Sequence, residues 1–100
     1  PPAAMLTNIL IEHTDAAKAS QWASQLGNWF QHQTFLGVRV LGSASAPISR
    51  IKRIHRFHLI LKASSRRQLA AAVRQMLAFA DSVEIPRRHL TVDVDAVQLM

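Results

Sequence analysis

Between Arg39 and Arg74 the chain carries Arg39, Arg50, Lys52, Arg53, Arg56, Lys62, Arg66, Arg67 and Arg74, and not one Asp or Glu. Elsewhere Lys18, Arg87 and Arg88 are outnumbered by Glu12, Asp15, Asp81, Glu84, Asp93 and Asp95. The formal charge of +6 over 100 residues is therefore concentrated in that one block. Guanidinium and ammonium groups at this density suit the neutralisation of anions. The partners they suit are polyanions: nucleic acid, an anionic membrane surface or an acidic protein tail. The plainer alternative is a basic surface that only keeps a domain soluble.

Other candidates for chemistry are weaker. His55 and His58 are three apart in a strand-like run, so they point to opposite faces and cannot share a metal. His58 and His89 could be neighbours across strands, but no third ligand accompanies them. Asp93 and Asp95 fall on one face of a strand and could hold Mg²⁺, although such carboxylates commonly pair with Arg or Lys on the adjacent strand. No Gly-rich run precedes a Lys-Ser or Lys-Thr pair, and no Ser/His/Asp or Cys/His grouping stands out. Arg66 and Arg67 differ from the other cations. They stand in the first turn of an expected helix, where free backbone amides add to their charge and suit a carboxylate or phosphate.

The elements that must position these residues are legible from periodicity. Met5 to Glu12 reads as a central strand, apolar on both faces. Thr14 is the expected N-cap of a helix with Asp15 in its first turn. Ala19, Trp22, Ala23, Leu26, Trp29 and Phe30 form the buried stripe of that helix, Gly27 is a mild weak point, and the helix ends near Gln31–Gln33. Leu36 to Leu41 reads as a second strand, with Val38 and Val40 opposite Arg39. Gly42 to Pro47 has the composition of a loop. A third strand builds from Ile51: Phe57, Leu59 and Leu61 take one face, and Lys52, Arg56, His58 and Lys62 take the other, with Ile54 and Ile60 among them. Ser65 and Gln68 form a capping box that opens a second helix. Its stripe is Leu69, Ala72, Val73, Met76, Leu77 and Ala80. Pro86 lies in a turn, and Leu90, Val92 and Val94 alternate with Thr91, Asp93 and Asp95 in a last strand.

The order β-α-β-β-α-β predicts an α+β, ferredoxin-like domain: a four-stranded antiparallel sheet with two helices on one face. The other face is then open and carries Arg39, Arg56, His58 and Lys62. RNA-recognition sheets stack bases on exposed aromatics of their middle strands. Here Phe57 falls on the core side, so backbone-directed binding to phosphates remains. One hundred residues make one domain. The absence of Cys excludes disulfides and thiolate zinc, and no apolar run approaches the ~20 residues of a membrane span.

Several motifs together resemble the C-terminal domain of the PriA family, the bacterial replication-restart helicases also called primosomal protein N-prime. They are Val40-Leu41-Gly42, Ala46-Pro47-Ile48, Arg50-Ile51-Lys52, Arg56-Phe57-His58-Leu59-Ile60-Leu61-Lys62, Ser65-Arg66 and Val92-Asp93-Val94-Asp95. Pro1-Pro2 look like the remnant of a motif that precedes the first strand in that family, so residues 1–100 are expected to be the single C-terminal domain of a longer helicase. Ser43 stands where relatives have Pro, Arg53 where they have Gly, His55 where an aromatic is usual, and Ala96 in place of the last Pro.

The resemblance implies a cytoplasmic, non-catalytic domain, similar in fold to a small ribosomal-subunit protein. Its parent would be an ATP-dependent DNA helicase that also uses Mg and Zn, with no cofactor in this domain. It implies three partners: forked or single-stranded DNA, the acidic C-terminal tail of single-stranded DNA-binding protein, and the helicase core of the same protein. In the family an Arg and a Gln at the start of the last helix contact that tail; the Arg matches Arg66, and the Gln position is Ala70 here. The expected DNA-binding residues are Arg39, Arg50, Lys52, Arg53, Arg56, His58 and Lys62. Arg66, Arg67 and Ala70 are the expected tail-binding residues. The alternatives are a ribosomal-type RNA-binding protein of similar fold and a small metal-dependent nuclease built on Asp93 and Asp95.

Overall fold

In a computed structural model, the backbone is described for residues 4–45 and 53–97. Strand β1 (Ala4–His13) leads into helix α1 (Ala16–Gln31). A hairpin of β2 (Val38–Ser45) and β3 (His55–Ala63) follows, then α2 (Arg66–Ser82), a 3-10 turn (Arg87–His89) and β4 (Leu90–Val97). The strands lie in the order β2-β3-β1-β4, with every neighbouring pair antiparallel. This is the expected ferredoxin-like α+β arrangement, and β1 is a central strand as its apolar faces require.

Thr7, Ile9 and Ile11 of β1 and Leu59, Leu61 and Ala63 of β3 are buried on one face. There they meet Trp22, Leu26 and Phe30 of α1 and Leu69, Met76 and Ala80 of α2. Trp29 packs against the same core and stacks on Phe79, ring centroids 5.3 Å apart, which ties the helices together. The Thr7 hydroxyl is buried without a hydrogen-bond partner among the described residues.

The local details differ from the sequence expectation in five places. The N-cap of α1 is Asp15, not Thr14. Asp15 Oδ1 accepts the amides of Ala17 at 2.9 Å and Lys18 at 3.4 Å, and the Asp15 amide donates to His13 Nδ1 at 2.8 Å. The second strand begins at Val38, because Gly37, at φ 76°, makes the turn before it. A Cβ at Gly37 would displace the flexible end of the Gln68 side chain, and the positive φ is what favours glycine here.

The strand then runs on through Gly42–Ser45, which the composition assigned to a loop. Ser43 lies opposite Leu59 and Ala44 opposite His58, after a register shift between Val40 and Gly42 that leaves Leu41 as the extra residue. The edge of β3 provides hydrogen-bonding partners that composition does not reveal. Ala46 and Pro47, the rest of that expected loop, lie outside the described residues. The third strand starts at His55, and Arg53 takes φ 59°, which breaks the extended chain before it; Ile51 and Lys52, where the strand was expected to build, lie outside the described residues. Finally, only half of the capping box forms. Ser65 Oγ accepts the Gln68 amide at 3.2 Å, whereas Gln68 Oε1 receives the hydroxyls of Ser64 and Ser65 instead of a backbone amide.

Gly27 is the weak point of α1, and it can be repaired. A Cβ there would meet only Leu59 Cδ2, at 3.9 Å, an ordinary contact. Gly27→Ala is therefore expected to stabilise the fold by about 0.5–1 kcal/mol through helix propensity. A rise in urea midpoint with unchanged slope would show it; a fall would mean that α1 cannot hold its distance from β3.

Candidate functional site

The open sheet face is less uniformly basic than its sequence suggests. Antiparallel register places Arg39 beside Lys62, Lys62 beside Leu6, and Leu6 beside Asp95. The next row runs Gly42, Ile60, Asn8, Asp93, and the next Ala44, His58, Leu10, Thr91. Glu12 lies opposite Arg56, and Arg56 Nε donates to Glu12 Oε2 at 2.6 Å. That pair is partly buried, so the positive charge of Arg56 is offset within the fold. His58 Nδ1 donates to Asn8 Oδ1 at 2.9 Å. Its expected proximity to His89 does not hold: His58 lies opposite Leu10 and Ala44, whereas His89 stacks on His13 with centroids 4.4 Å apart.

Of the expected DNA-binding set, Arg39 and Lys62 adjoin at the β2–β3 end of the sheet, and Arg53 is exposed just before β3. Arg50 and Lys52 lie outside the described residues. The β4 edge carries Asp93, so the face grades from basic to acidic across an apolar middle of Leu6, Leu10 and Ile60. Among the described residues no group of three His, Cys, Asp or Glu side chains could hold a metal ion.

A better-formed site lies between α2 and β4. Arg66, Leu69, Ala70, Val73 and Arg74 recur at three- and four-residue spacing along one face of α2. With Val92 and Val94 of β4 they line a groove of about 380 Å³. Its walls are apolar: Leu69 is buried, Val73 and Val92 are half-buried, and Val94 is 41% exposed. The two guanidinium groups are its charged lining, and neither has an ion-pair partner among the described residues. Arg66 also opens α2, where unsatisfied amides make the environment more positive.

Two of the three expected tail-binding residues, Arg66 and Ala70, thus come together. Arg67 is exposed and does not line the groove. Sequence reasoning missed Arg74, Val92 and Val94. Arg74 stands eight residues after Arg66 and four after Ala70, and that helical spacing was the available signal. The placement of β4 against this face of α2 was not readable.

The comparisons with known proteins agree with this architecture. The model of the primosomal protein N C-terminal domain family matches residues 1–97. Replication restart protein PriA of Bacillus subtilis (strain 168) is 26% identical over 95 residues, which cover 95% of this chain. The chain spans 12% of that relative's length. Among solved structures, the de novo designed protein Foldit4 superposes with a TM-score of 0.64 at 10% identity, over 97% of this chain and 99% of its own. The C-terminal DNA-binding domain of the MHV-68 latency-associated nuclear antigen gives 0.56 at 13% identity, over 99% and 75%. The cofactor-independent oxygenase SnoaB from Streptomyces nogalater gives 0.56 at 10%, over 100% and 95%. At such identities these neighbours share the fold alone. Among the described residues no helix is long and apolar enough to cross a membrane. By its match across nearly its whole length, the chain belongs to the primosomal protein N C-terminal domain family.

Proposed function

We propose that this chain is a non-catalytic docking domain of a cytoplasmic replication-restart helicase, and that its α2–β4 groove receives the acidic C-terminal tail of single-stranded DNA-binding protein. The observation that carries this reading is the pairing of Arg66 and Arg74 with an apolar floor of Leu69, Val73, Val92 and Val94. A peptide that ends in an apolar residue and carries carboxylates needs both features: cations for its charge and a dry trough for its side chain. Ala70 replaces the family's Gln, so Arg74, one turn further along α2, is the second cation in this chain. In this reading the ATP, Mg and Zn of the parent helicase are held outside this domain, and the helicase core is its neighbour.

DNA contact is a second role, favoured by the adjacency of Arg39 and Lys62 and by the exposure of Arg53. It is backbone-directed, and it depends less on Arg56 and His58, whose polar groups already have partners on β1.

The test is a fluorescence anisotropy titration of the chain with a labelled peptide that ends in acidic residues and a terminal apolar residue. The same peptide with its terminal carboxylate amidated is the comparison. The acid form is expected to bind at least about tenfold more tightly, since a hydrogen bond to a charged group contributes roughly 1.5–3 kcal/mol net of exchange with water. Equal affinity for both would remove the tail reading. In parallel, forked and single-stranded DNA should bind with steep salt dependence and little sequence preference. Preference for RNA with sensitivity to its 2′-hydroxyls would instead favour the ribosomal-type reading.

A further inference from the structure

A cavity of about 250 Å³ opens at the end of the sheet away from the groove, lined by Glu12, His13, Thr14, Ile54, Arg88 and His89. Its two imidazoles are stacked, and Trp22 packs against both, at 5.2 Å from His13 and 5.1 Å from His89. Hydrogen bonds define their tautomers. His13 Nδ1 accepts the Asp15 amide at 2.8 Å, so the proton of neutral His13 is on Nε2. His89 Nδ1 lies 2.8 Å from the Glu12 carbonyl, which can only accept, so the proton of neutral His89 is on Nδ1. Each ring therefore has its Nδ1 edge tied to the backbone. Neither Nε2 has a hydrogen-bond partner among the described residues.

The surrounding charges favour an anion. The Glu12 carboxylate is held by Arg56 of β3, and Asp15 is engaged as the α1 cap. Arg87 donates from Nε and Nη2 to Asp81 at 3.0 and 2.9 Å, and this hydrogen bond, reinforced by charge attraction, holds the Asp81 carboxyl below its ordinary value. Arg88, exposed and lining the cavity, has no such partner among the described residues. His55 lies opposite His13 in the register but does not line the cavity.

We propose that this cavity binds a phosphate group, held by Arg88 and by the Nε2–H of His13, whose ring is fixed by its stacking on His89 and by the Asp15 amide. This site is separate from the α2–β4 groove, so loss of peptide docking would leave it intact.

The test is to follow the imidazole resonances of the 100-residue chain by NMR during titration with dimethyl phosphate. Sodium chloride at matched ionic strength is the control. The His13 and His89 signals should shift saturably, and Arg88→Gln should weaken binding about fivefold. A short oligothymidylate that competes for the same signals would identify the phosphate as that of a nucleic-acid chain; dimethyl phosphate binding without competition would identify a small phosphate ligand. Shifts no larger than those from chloride would overturn the proposal, and so would unchanged affinity in Arg88→Gln.

Discussion

Leu59→Ala is expected to lower the unfolding free energy by about 3–4 kcal/mol. For a domain of this length, total stability is about 5–15 kcal/mol, so the loss is a large share of it. Leu59 is 1% exposed at the middle of β3. It lies opposite Ile9 of β1 and Ser43 of β2. Above it runs α1 at Gly27, where even an added Cβ would lie only in ordinary contact with Leu59 Cδ2, at 3.9 Å. Both walls of the resulting void are fixed, one by the β ladder and one by the helix, so the site cannot collapse to recover contacts. The neighbouring Ile60 provides the contrast. It points to the open face at 36% exposure, and Ile60→Ala should cost under about 1 kcal/mol. Urea unfolding of both variants checks the pair. Comparable losses would mean that the open face is buried in solution, against some partner or a second copy.

That contrast between Leu59 and Ile60 was legible in the chain itself, because period-two alternation assigns faces without any knowledge of neighbours. The helix stripes were legible for the same reason. What composition could not convey was pairing. Gly42–Ser45 has the residues of a loop, yet the free edge of β3 draws it into the sheet. Thr14 and Asp15 can both cap a helix, and one residue of phase, supported by His13 accepting the Asp15 amide, decides between them. Glu12 and Arg56 are 44 residues apart; only the antiparallel register reveals that a cation assigned to DNA is paired at home. Half of the candidate groove was visible as Arg66 and Ala70 at the start of α2. The other half, Val92 and Val94, belongs to a strand that reaches α2 only through the topology.

Arg66→Glu together with Arg74→Glu should reduce affinity for a peptide with an acidic terminus by more than about fiftyfold. Each single reversal should cost roughly tenfold, since it replaces an attraction with a repulsion beside a low-dielectric trough. Both side chains are exposed, so the fold should survive. Arg67→Glu is the necessary control. It changes the net charge by the same amount as Arg66→Glu and stands one residue away in the same helical turn, but it does not line the groove. It should alter affinity by no more than about twofold, the modest effect of a screened surface charge. Equal losses at Arg66 and Arg67 would indicate diffuse attraction to a basic surface rather than a docking site.

The most direct measurement is an amide chemical-shift map of the chain titrated with that peptide. The largest shifts should cluster at Arg66, Leu69, Ala70, Val73, Arg74, Val92 and Val94, the residues that line the groove. Shifts centred instead on Arg39, Ile60 and Lys62 of the open sheet face would contradict docking there.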